Sequence, residues 1–376
     1  MSKIKFTTFL LCILILISCR KDKNYIIEVK DGVEIVSNKN IESSPDLQLN
    51  LKLISEISLD MLVLPDSIPA IKSFSRAALD HDGNIYISDF RNCVVYKVDR
   101  KGNYVFNFYR KGQGPGESII INDIKVMQDS VYIFGEYGKT SIFTKEGNFI
   151  RQYRLFEGKY TYQKIMNSND TIICYNRNMV PDMEKKKQFT TLCVYQLDEY
   201  NLENYSKIFE VNSTEDLNNF NYRVTNEKRQ CSFVNGRIYF EDLSSLVYAV
   251  DVYDLKGVKI RRIEKKSRRI HCSDKIKKKA HEIDLRNPMV KVVADFEKQI
   301  QSMYIDKNEN LWIKPAVEGL ELDHQYYDIF NSEGVFMKRI KLPLPDSFKW
   351  LTFDKNKLIA IDLDNSIVKV FDYDFF

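Results

Sequence analysis

Histidine and tryptophan are scarce in this chain of 376 residues, which contains only four histidines and two tryptophans. The histidines form neither an H-E-x-x-H motif nor a pair four residues apart, and no G-x-S-x-G segment occurs. The chain therefore lacks the motifs that are typical of zinc proteases and of α/β-hydrolases. With 14 glycines and nine prolines, the chain is also neither collagen-like nor a low-complexity polymer.

The seven cysteines are too widely spaced for a metal site or a disulfide framework, and no C-x-x-C pair occurs. Zinc sites and small disulfide scaffolds need paired cysteines at characteristic spacings. We therefore expect the cysteines beyond the first twenty residues to be small buried apolar side chains. These are Cys93, Cys174, Cys193, Cys231 and Cys272.

The longest apolar run lies at the amino end and is followed by a cysteine. Two lysines precede residues 6–17, which are almost entirely apolar, and Leu16-Ile17-Ser18-Cys19 follows. The run is shorter than the roughly 20 residues that span a bilayer. It is similar to a bacterial lipoprotein signal, which implies cleavage before Cys19 and acylation of its thiol. We expect residues 1–18 to be a signal peptide, residues 19–50 a lipidated tether, and the protein to lie in the cell envelope on the outer membrane.

A unit of short strands and polar turns recurs from about residue 53 onward. Strands rich in Tyr, Phe, Ile and Val alternate with turns such as Asp99-Arg100-Lys101-Gly102. The second strands of the units are expected to begin at residues 85, 131, 171, 238, 311 and 358. A base period of about 40–50 residues with four short strands is typical of a β-propeller blade. The sequence predicts an all-β, six-bladed propeller over residues 51–376, with a polar insert at residues 176–188 of the third blade.

Three local segments complete the predicted fold. Residues 51–64 are strand-like, and we expect them to close the ring as the outer strand of the last blade, because little chain remains after Phe371. Lys275 to Leu285, capped by Ser273, is expected to be a short helical insertion between blades four and five. The Asp31-Gly32 pair predicts a small hairpin within the tether.

One inter-blade segment carries a more specific resemblance. Gly112-Gln113-Gly114-Pro115-Gly116-Glu117 resembles the G-x-G-P-G-E turn of the six-bladed β-propeller lipoproteins of Bacteroidetes, which are relatives of NHL-repeat propellers. Asn287-Pro288 also resembles a motif of that family. The resemblance covers roughly residues 53–376 and implies a six-bladed propeller on a lipid anchor. It implies no established reaction, so no catalytic residue carries over.

Ligands of propellers usually bind on the face that carries the turns between second and third strands and the connections between blades. The repeat places a polar set there, which we call the candidate ligand face: Asp89, Arg91, Glu136, Arg177, Glu241, Asp242, His324, Asp362 and Asp364. The alternative is that these turns are polar only because they face water. Converging carboxylates could bind Ca²⁺, but we predict neither a metal nor another cofactor.

Residues 256–279 form a basic run, with twelve Lys or Arg against Glu264 and Asp274. One interpretation is a patch for an anionic partner such as lipopolysaccharide or an acidic glycan. We favour the other, a solvated strand edge leading into the inserted helix. The run lacks the aromatic residues that stack on bases, so we predict no nucleic-acid partner.

These observations favour a binding or scaffold module for a carbohydrate, a peptide or an envelope protein, without catalysis. The competing interpretation is a propeller enzyme, such as a lyase, a lactonase or a glycan-cleaving enzyme, with a metal-assisted site at the channel mouth. That interpretation requires His324 close to several carboxylates of the candidate ligand face. A propeller fold alone does not decide between them.

Overall fold

The computed structural model describes residues 24–39, 49–58, 62–68, 71–154, 162–168, 171–182, 184–198, 204–216, 220–221, 230–242, 247–286, 292–293, 295–317, 325–354 and 356–375. Within these ranges the chain is all-β except for one α-helix, α1 (Asp274–Arg286), and one short 3₁₀ turn. The helix begins directly after Ser273, as predicted, and the Ser273 carbonyl accepts hydrogen bonds from the N–H groups of Ile276 and Lys277. No helix in the described ranges is long and apolar enough to cross a bilayer.

Three strands precede the first blade. They are β1 (Tyr25–Lys30), β2 (Val33–Asn38) and β3 (Leu49–Ser58). β1 and β2 form the predicted hairpin through a two-residue turn, in which Asp31 and Gly32 have φ angles of 51° and 78°. Positive φ at both central residues is the geometry that an Asp-Gly turn favours.

Six blades follow, each with four antiparallel strands of its own. Blade one contains β4 (Phe74–Leu79), β5 (Ile85–Asp89), β6 (Val94–Val98) and β7 (Tyr104–Phe108). A small parallel pair, β8 (Arg110–Lys111) and β9 (Glu117–Ser118), leads to blade two, which contains β10 (Asp123–Met127), β11 (Ser130–Phe134), β12 (Lys139–Thr144) and β13 (Phe149–Arg154). Blade three contains β14 (Tyr162–Ser168), β15 (Thr171–Asp182), β16 (Lys187–Leu197) and β17 (Tyr205–Asp216).

The second half repeats this plan. After β18 (Phe220–Asn221), blade four contains β19 (Cys231–Val234), β20 (Arg237–Glu241), β21 (Ala249–Tyr253) and β22 (Lys259–Lys265). β23 (Val292–Val293) pairs with β18, and blade five contains β24 (Ile300–Ile305), β25 (Leu311–Pro315), β26 (Gln325–Phe330) and β27 (Phe336–Leu342). Blade six contains β28 (Trp350–Asp354), β29 (Lys357–Asp362), β30 (Ile367–Phe375) and, as its outer strand, β3.

The blades form a closed ring. The first strand of each blade contacts the next blade around the circle, and β29 of blade six contacts β4 of blade one. The ring is joined by β3, which pairs antiparallel with β30 in the register Leu53 to Phe371. The predicted closure is therefore confirmed, although the strand spans Leu49–Ser58 rather than residues 51–64. Second strands begin within one residue of the six predicted positions.

The core consists of six apolar clusters, one at each interface between neighbouring blades. β5 shows how strand periodicity produces them, because alternate side chains face opposite sides of a sheet. Ile85 and Ile87 pack against Val368 of blade six, whereas Tyr86 packs against Ile124 of blade two. Second strands are buried on both faces for this reason. No disulfide joins the five cysteines named above, and four of them are buried.

The amino-terminal hairpin extends blade four. β2 pairs in parallel with β22, so this sheet has six strands with β1 at its edge. The buried Asn38 side chain donates hydrogen bonds to the carbonyls of Glu264 and Gly334, which joins the hairpin to blades four and five. Glu34 forms an ion pair with Arg261. The described part of the predicted tether is thus docked on the propeller, while Cys19 and residues 1–18 lie outside the described residues.

Turns between third and fourth strands pack against the outer strand of the preceding blade. Gly334, at φ +81°, lies so close to blade four that a Cβ atom would stand 2.6 Å from Ile263 Cγ1. Gly257, at φ +79°, would place a Cβ atom 2.5 Å from the carbonyl oxygen of Ile208 in blade three. Glycine is required here both by its backbone conformation and by this close approach.

Candidate functional site

Most acids of the candidate ligand face occupy equivalent places in the repeat. Asp89, Glu241 and Asp362 are the last residues of β5, β20 and β29, the second strands of blades one, four and six. Glu136 lies just after the second strand of blade two, in the 3₁₀ turn. Because these positions repeat around the ring, their contacts can be compared blade by blade.

Asp89 is fully buried and is engaged by its own turn and by the chain entering its blade. Its carboxylate accepts hydrogen bonds from the N–H groups of Lys72 (2.8 Å), Arg91 (2.9 Å) and Asn92 (3.2 Å). It also accepts one from the side-chain amide of Asn92 at 2.9 Å. Lys72 belongs to the connection from β3 to β4. Asp89 therefore fixes both the turn after β5 and the entry to blade one.

Asp362 repeats this arrangement in blade six. It accepts hydrogen bonds from the Ser347 hydroxyl (2.6 Å), from the N–H groups of Asp364 (3.0 Å) and Asn365 (2.9 Å), and from the Asn365 side-chain amide (2.8 Å). Burial opposes ionisation of Asp362, but the hydrogen bonds from Ser347 and Asn365 outweigh it and lower the pKa of this carboxyl below its ordinary value. The carboxylate form is thus the one that holds the loop.

Glu136 makes the corresponding contact in blade two. Its Oε2 atom accepts hydrogen bonds from the Ser118 hydroxyl and from the Ile119 N–H, the latter at 3.2 Å. Both donors belong to the connection from blade one, directly after the Gly112–Glu117 turn. That turn is closed by Glu117, whose side chain accepts a hydrogen bond from the Gly114 N–H at 3.0 Å. The acid after the second strand again anchors the incoming connection.

Glu241 is the most deeply engaged acid of the set. Its Oε2 atom accepts a hydrogen bond from the Gln230 N–H at 3.0 Å and forms an ion pair with Lys298 Nζ at 2.9 Å. The side chains of Glu241 and Lys298 are both fully buried. The second oxygen, Oε1, has no hydrogen-bond partner in the part of the chain that the structure describes. Glu241 is therefore the acid of this set whose carboxylate keeps a buried oxygen, Oε1, able to accept a further hydrogen bond.

The remaining predicted residues that the structure describes differ in exposure and in their partners. Arg91 is exposed, and Asp364 forms an exposed ion pair with Lys349 at 2.6 Å. Asp242 pairs with Arg262 at 2.7 Å. Arg177 is buried within β15, and His324 lies outside the described residues. Across the described ranges, no group of three or more His, Cys, Asp or Glu side chains is placed to hold a metal ion.

Blade three has a projection that sequence reasoning missed. β15, β16 and β17 contain 12, 11 and 12 residues, whereas β5, β6 and β7 contain five each. Residues 176–188 are expected to be a polar insert, but residues 176–182 instead belong to β15, and residues 187–188 belong to β16. β14 pairs with β15 only as far as Arg177, so β15–β17 extend beyond it on the side of the candidate ligand face. We call residues 178–191 with 212–216 the blade-three arm.

The blade-three arm carries an exposed apolar pair. Val180 and Phe189 are directly opposite each other in the β15–β16 ladder, and their exposed fractions are 53% and 39%. Phe189 in turn faces Thr214 on β17. At about 3.4 Å per residue, the five residues after Arg177 carry the arm roughly 17 Å beyond the end of β14. The polar composition of this segment led us to predict an insert and not longer strands. A sheet that projects into water needs few apolar side chains, so its strands lack the usual apolar pattern.

A buried ion cluster between blades four and five was also missed. Asp328 accepts hydrogen bonds from Lys265 Nζ (2.8 Å), Arg339 Nε (2.7 Å) and the Tyr248 hydroxyl (2.7 Å). Burial disfavours the charge on Asp328, but Arg339 and Lys265 more than compensate and lower its pKa. Burial and the neighbouring Asp328 raise the pKa of Tyr248 well above its ordinary value. Lys265 belongs to the basic run, so this part of the run is core rather than solvated edge.

Comparisons with known proteins show the fold but not a family. No family model matches the chain, and no curated protein matches it. A member of the DUF4221 family from Bacteroides vulgatus superimposes with a TM-score of 0.55 at 9% identity, covering 88% of this chain and 99% of its own. A protein of Bacteroides fragilis, provisionally described as exported, has a TM-score of 0.52 at 11% identity and covers 91% and 99%. A virginiamycin B lyase from Staphylococcus aureus reaches only 0.46 at 8% identity, covering 86% and 99%.

Proposed function

We propose that this protein is a lipid-anchored, extracytoplasmic propeller that binds a protein or peptide partner and does not catalyse a reaction. The observation that carries this proposal is the blade-three arm, which presents Val180 and Phe189 to solvent on a projecting sheet. Exposed apolar side chains on such a projection are typical of a protein-interaction surface. Carbohydrate binding, which the sequence left open, is less well supported because neither Val180 nor Phe189 has a side chain that can form a hydrogen bond with a sugar.

The contacts of the acids argue against the enzyme interpretation. Asp89 and Asp362 each accept four hydrogen bonds, from their own turns and from the connections that enter their blades, which leaves little capacity to bind a substrate or a metal. A general acid or base must instead reach the proton that it transfers. Glu241 is the one acid that keeps the second interpretation open, because its Oε1 atom is buried without a described partner.

The cellular location rests on the amino-terminal pattern. We propose that Cys19 is acylated and that the chain belongs with the six-bladed, NHL-like propeller lipoproteins of Bacteroidetes on the outer membrane. The provisional description of the B. fragilis protein as exported agrees with this location. Two or three acyl chains anchor a protein stably, whereas a single chain binds only reversibly.

The anchor is tested by fractionation of cells that express the whole chain or its Cys19→Ala variant. We expect the unsubstituted protein to remain with membranes after a high-salt wash and to gain the mass of acyl chains. We expect the variant to lose the acyl mass and the salt-resistant association. Salt-resistant membrane association of the variant would contradict the anchor.

The partner is tested by site-specific photo-crosslinking in intact cells. A photoreactive residue at Phe189 is expected to give a discrete protein adduct, while one at Val105, a similarly exposed apolar residue of blade one, gives none. A second variant, Val180→Asp with Phe189→Asp, should abolish an adduct formed from a photoreactive residue at Thr214 without lowering the unfolding midpoint. Equal adducts from Phe189 and Val105, or an adduct that survives the aspartates, would refute the arm as the binding surface.

A further inference from the structure

The amino-terminal hairpin enters the propeller at the basic end of blade four. The Lys39 N–H donates a hydrogen bond to the Asn24 carbonyl at 2.9 Å, and the Lys266 N–H donates one to the Asn38 carbonyl at 3.1 Å. Three neighbouring segments of backbone, at Asn24, Lys39 and Lys266, are thereby held side by side. Adjacent strands are about 4.8 Å apart, so Asn24 lies only roughly 10 Å from the chain at Lys266.

This end of the sheet carries exposed positive charge. Several members of the basic run are paired inside the protein, such as Lys259 with Asp251 and Lys265 with Asp328. The residues 266–269, which directly follow β22, have exposed side chains. The exposed basic residues at this end are Lys39, Lys266, Arg268 and Arg269.

One face of the edge strand β1 is apolar. Ile27 and Val29 lie on the same face of β1 because they are two residues apart, and their exposed fractions are 46% and 71%. The opposite face of β1 carries the Glu28–Lys30 ion pair. Edge strands of soluble domains are usually protected by charge, by proline or by a covering segment. A face with two exposed branched aliphatic side chains is an exception that calls for a covering surface.

The short chain between Cys19 and the hairpin limits the distance between the hairpin and a membrane that holds an acylated Cys19. Four residues lie between Cys19 and Asn24, so about five residue-to-residue steps join them, and an extended chain spans at most about 3.6 Å per step. An acylated Cys19 would therefore hold Asn24 within roughly 18 Å of the lipid. The corner of blade four is then the part of the described propeller that the anchor brings to the membrane.

We propose that this blade-four corner, made of Ile27, Val29, Lys39, Lys266, Arg268 and Arg269, is a docking surface for lipids with anionic phosphate headgroups. It rests on the proposed acylation of Cys19 for its position, but its chemistry is that of a peripheral membrane contact. The cations bind headgroup phosphates, while the two aliphatic side chains enter the region between headgroups and acyl chains. This contact fixes the orientation of the propeller relative to the membrane, which a flexible lipid anchor alone does not do.

The surface is tested without the anchor, by flotation of the whole chain carrying Cys19→Ala. Vesicles contain phosphatidylcholine alone or phosphatidylcholine with 30% phosphatidylglycerol, about that fraction being enough to give a strongly anionic surface. Each basic residue near such a surface contributes about fivefold to the partition coefficient. The added substitutions Lys39→Gln, Lys266→Gln and Arg269→Gln should therefore lower binding to anionic vesicles by on the order of 100-fold.

The matched control removes three exposed cations elsewhere, by Lys52→Gln, Arg100→Gln and Lys101→Gln. It is expected to bind anionic vesicles like the Cys19→Ala parent, and binding of that parent should fall as salt screens the charges. The apolar amino-terminal run is present in every sample, so only differences between lipids and between variants report on the surface. Equal loss in both triple variants, or equal binding of the parent to both vesicle types, would overturn the proposal.

The apolar face is tested by Ile27→Ser with Val29→Ser in the same background. Burial of two aliphatic side chains contributes roughly tenfold or more to partitioning, so this variant should lose binding to both kinds of vesicle. If the serines instead abolish self-association seen by sedimentation without vesicles, β1 pairs with a second copy and the proposal is wrong. Failure of acylation at Cys19 would not alter these results, because every sample lacks the anchor.

Discussion

Replacement of Asp89 by alanine separates the two interpretations of the candidate ligand face. If Asp89 holds a loop, its loss should unfold the protein more easily. If it binds a ligand, its loss should spare stability and abolish binding. The structure predicts the first result, because the buried carboxylate accepts four hydrogen bonds from Lys72, Arg91 and Asn92.

The expected magnitude follows from those contacts. A buried donor left without an acceptor costs about 1–3 kcal/mol. The hydrogen bonds from Lys72, Arg91 and Asn92 are all only partly buried, so water satisfies these donors in part and reduces this cost. We therefore expect Asp89→Ala to lower the free energy of unfolding by about 3–4 kcal/mol. Asp364→Ala, which breaks only the exposed pair with Lys349, should cost less than about 1 kcal/mol.

Urea unfolding at neutral pH, followed by tryptophan fluorescence, measures both variants. The two tryptophans, Trp312 and Trp350, lie in blades five and six, so a loss of stability reported from there shows that blade one unfolds together with the rest of the ring. A change of less than about 1 kcal/mol for Asp89→Ala, with an unchanged denaturant slope, would refute the loop-anchoring role. Asp89 would then again be a candidate for binding a ligand.

Four further predictions concern the interior, the loops and metal binding. Asp328→Ala should lower the free energy of unfolding by about 3–5 kcal/mol in urea titrations, because the buried Lys265 and the partly buried Arg339 lose the Asp328 carboxylate; a loss comparable to that of an exposed pair would contradict this. Since the folded pKa of Asp328 is lowered, its contribution is present above the ordinary value of 3.8 and is lost as pH falls through the folded pKa, so the urea midpoints of the parent and of Asp328→Asn should converge on acidification. Gly334→Ala should cost about 1–3 kcal/mol more than Gly32→Ala, since both have φ near +80° but only Gly334 faces a neighbour within 4 Å; equal costs would show that the close packing on blade four is not a constraint. Addition of Ca²⁺ or EDTA should leave the thermal midpoint unchanged, and a shift of several degrees with Ca²⁺ would contradict our prediction that no metal is bound.

The sequence predicted the repeat well because its signals are local. Alternating apolar residues set each strand, and turns such as Asp80-His81-Asp82-Gly83-Asn84 close on themselves, with the Asp80 carboxylate accepting hydrogen bonds from the N–H groups of Asp82 and Asn84. The number of blades and the closure by β3 follow from counting such units. The docking of the hairpin could not be predicted in this way, because Glu34 and Arg261 meet across 227 positions of sequence.

The sequence indicated the contacts of the acids within their own turns but not their contacts with the incoming connections. Asp89 and Asp362 each accept a hydrogen bond from the N–H group two residues further on, which is an Asx turn, and an aspartate at the start of a turn could have indicated this structural role. Their other partners, Lys72 and Ser347, come from connections whose positions depend on the ring as a whole. A polar residue on a turn looks the same in sequence whether it faces a ligand or the next loop.

In a repeat protein, the features that recur and those that do not have different explanations. An acid at or just after the end of the second strand holds the incoming connection in blades one, two, four and six. Each blade must fix the segment that enters it, so this contact is explained by assembly of the ring. A function specific to this protein must instead lie where the repeat is broken. Two such departures are the blade-three arm and the two strands added to blade four, and they occur on neighbouring blades. If both proposals hold, a partner that binds the arm is brought close to the lipid surface on which blade four rests. Substitutions confined to the shared acids should then change stability in proportion to their hydrogen bonds and leave partner capture unchanged in the molecules that remain folded.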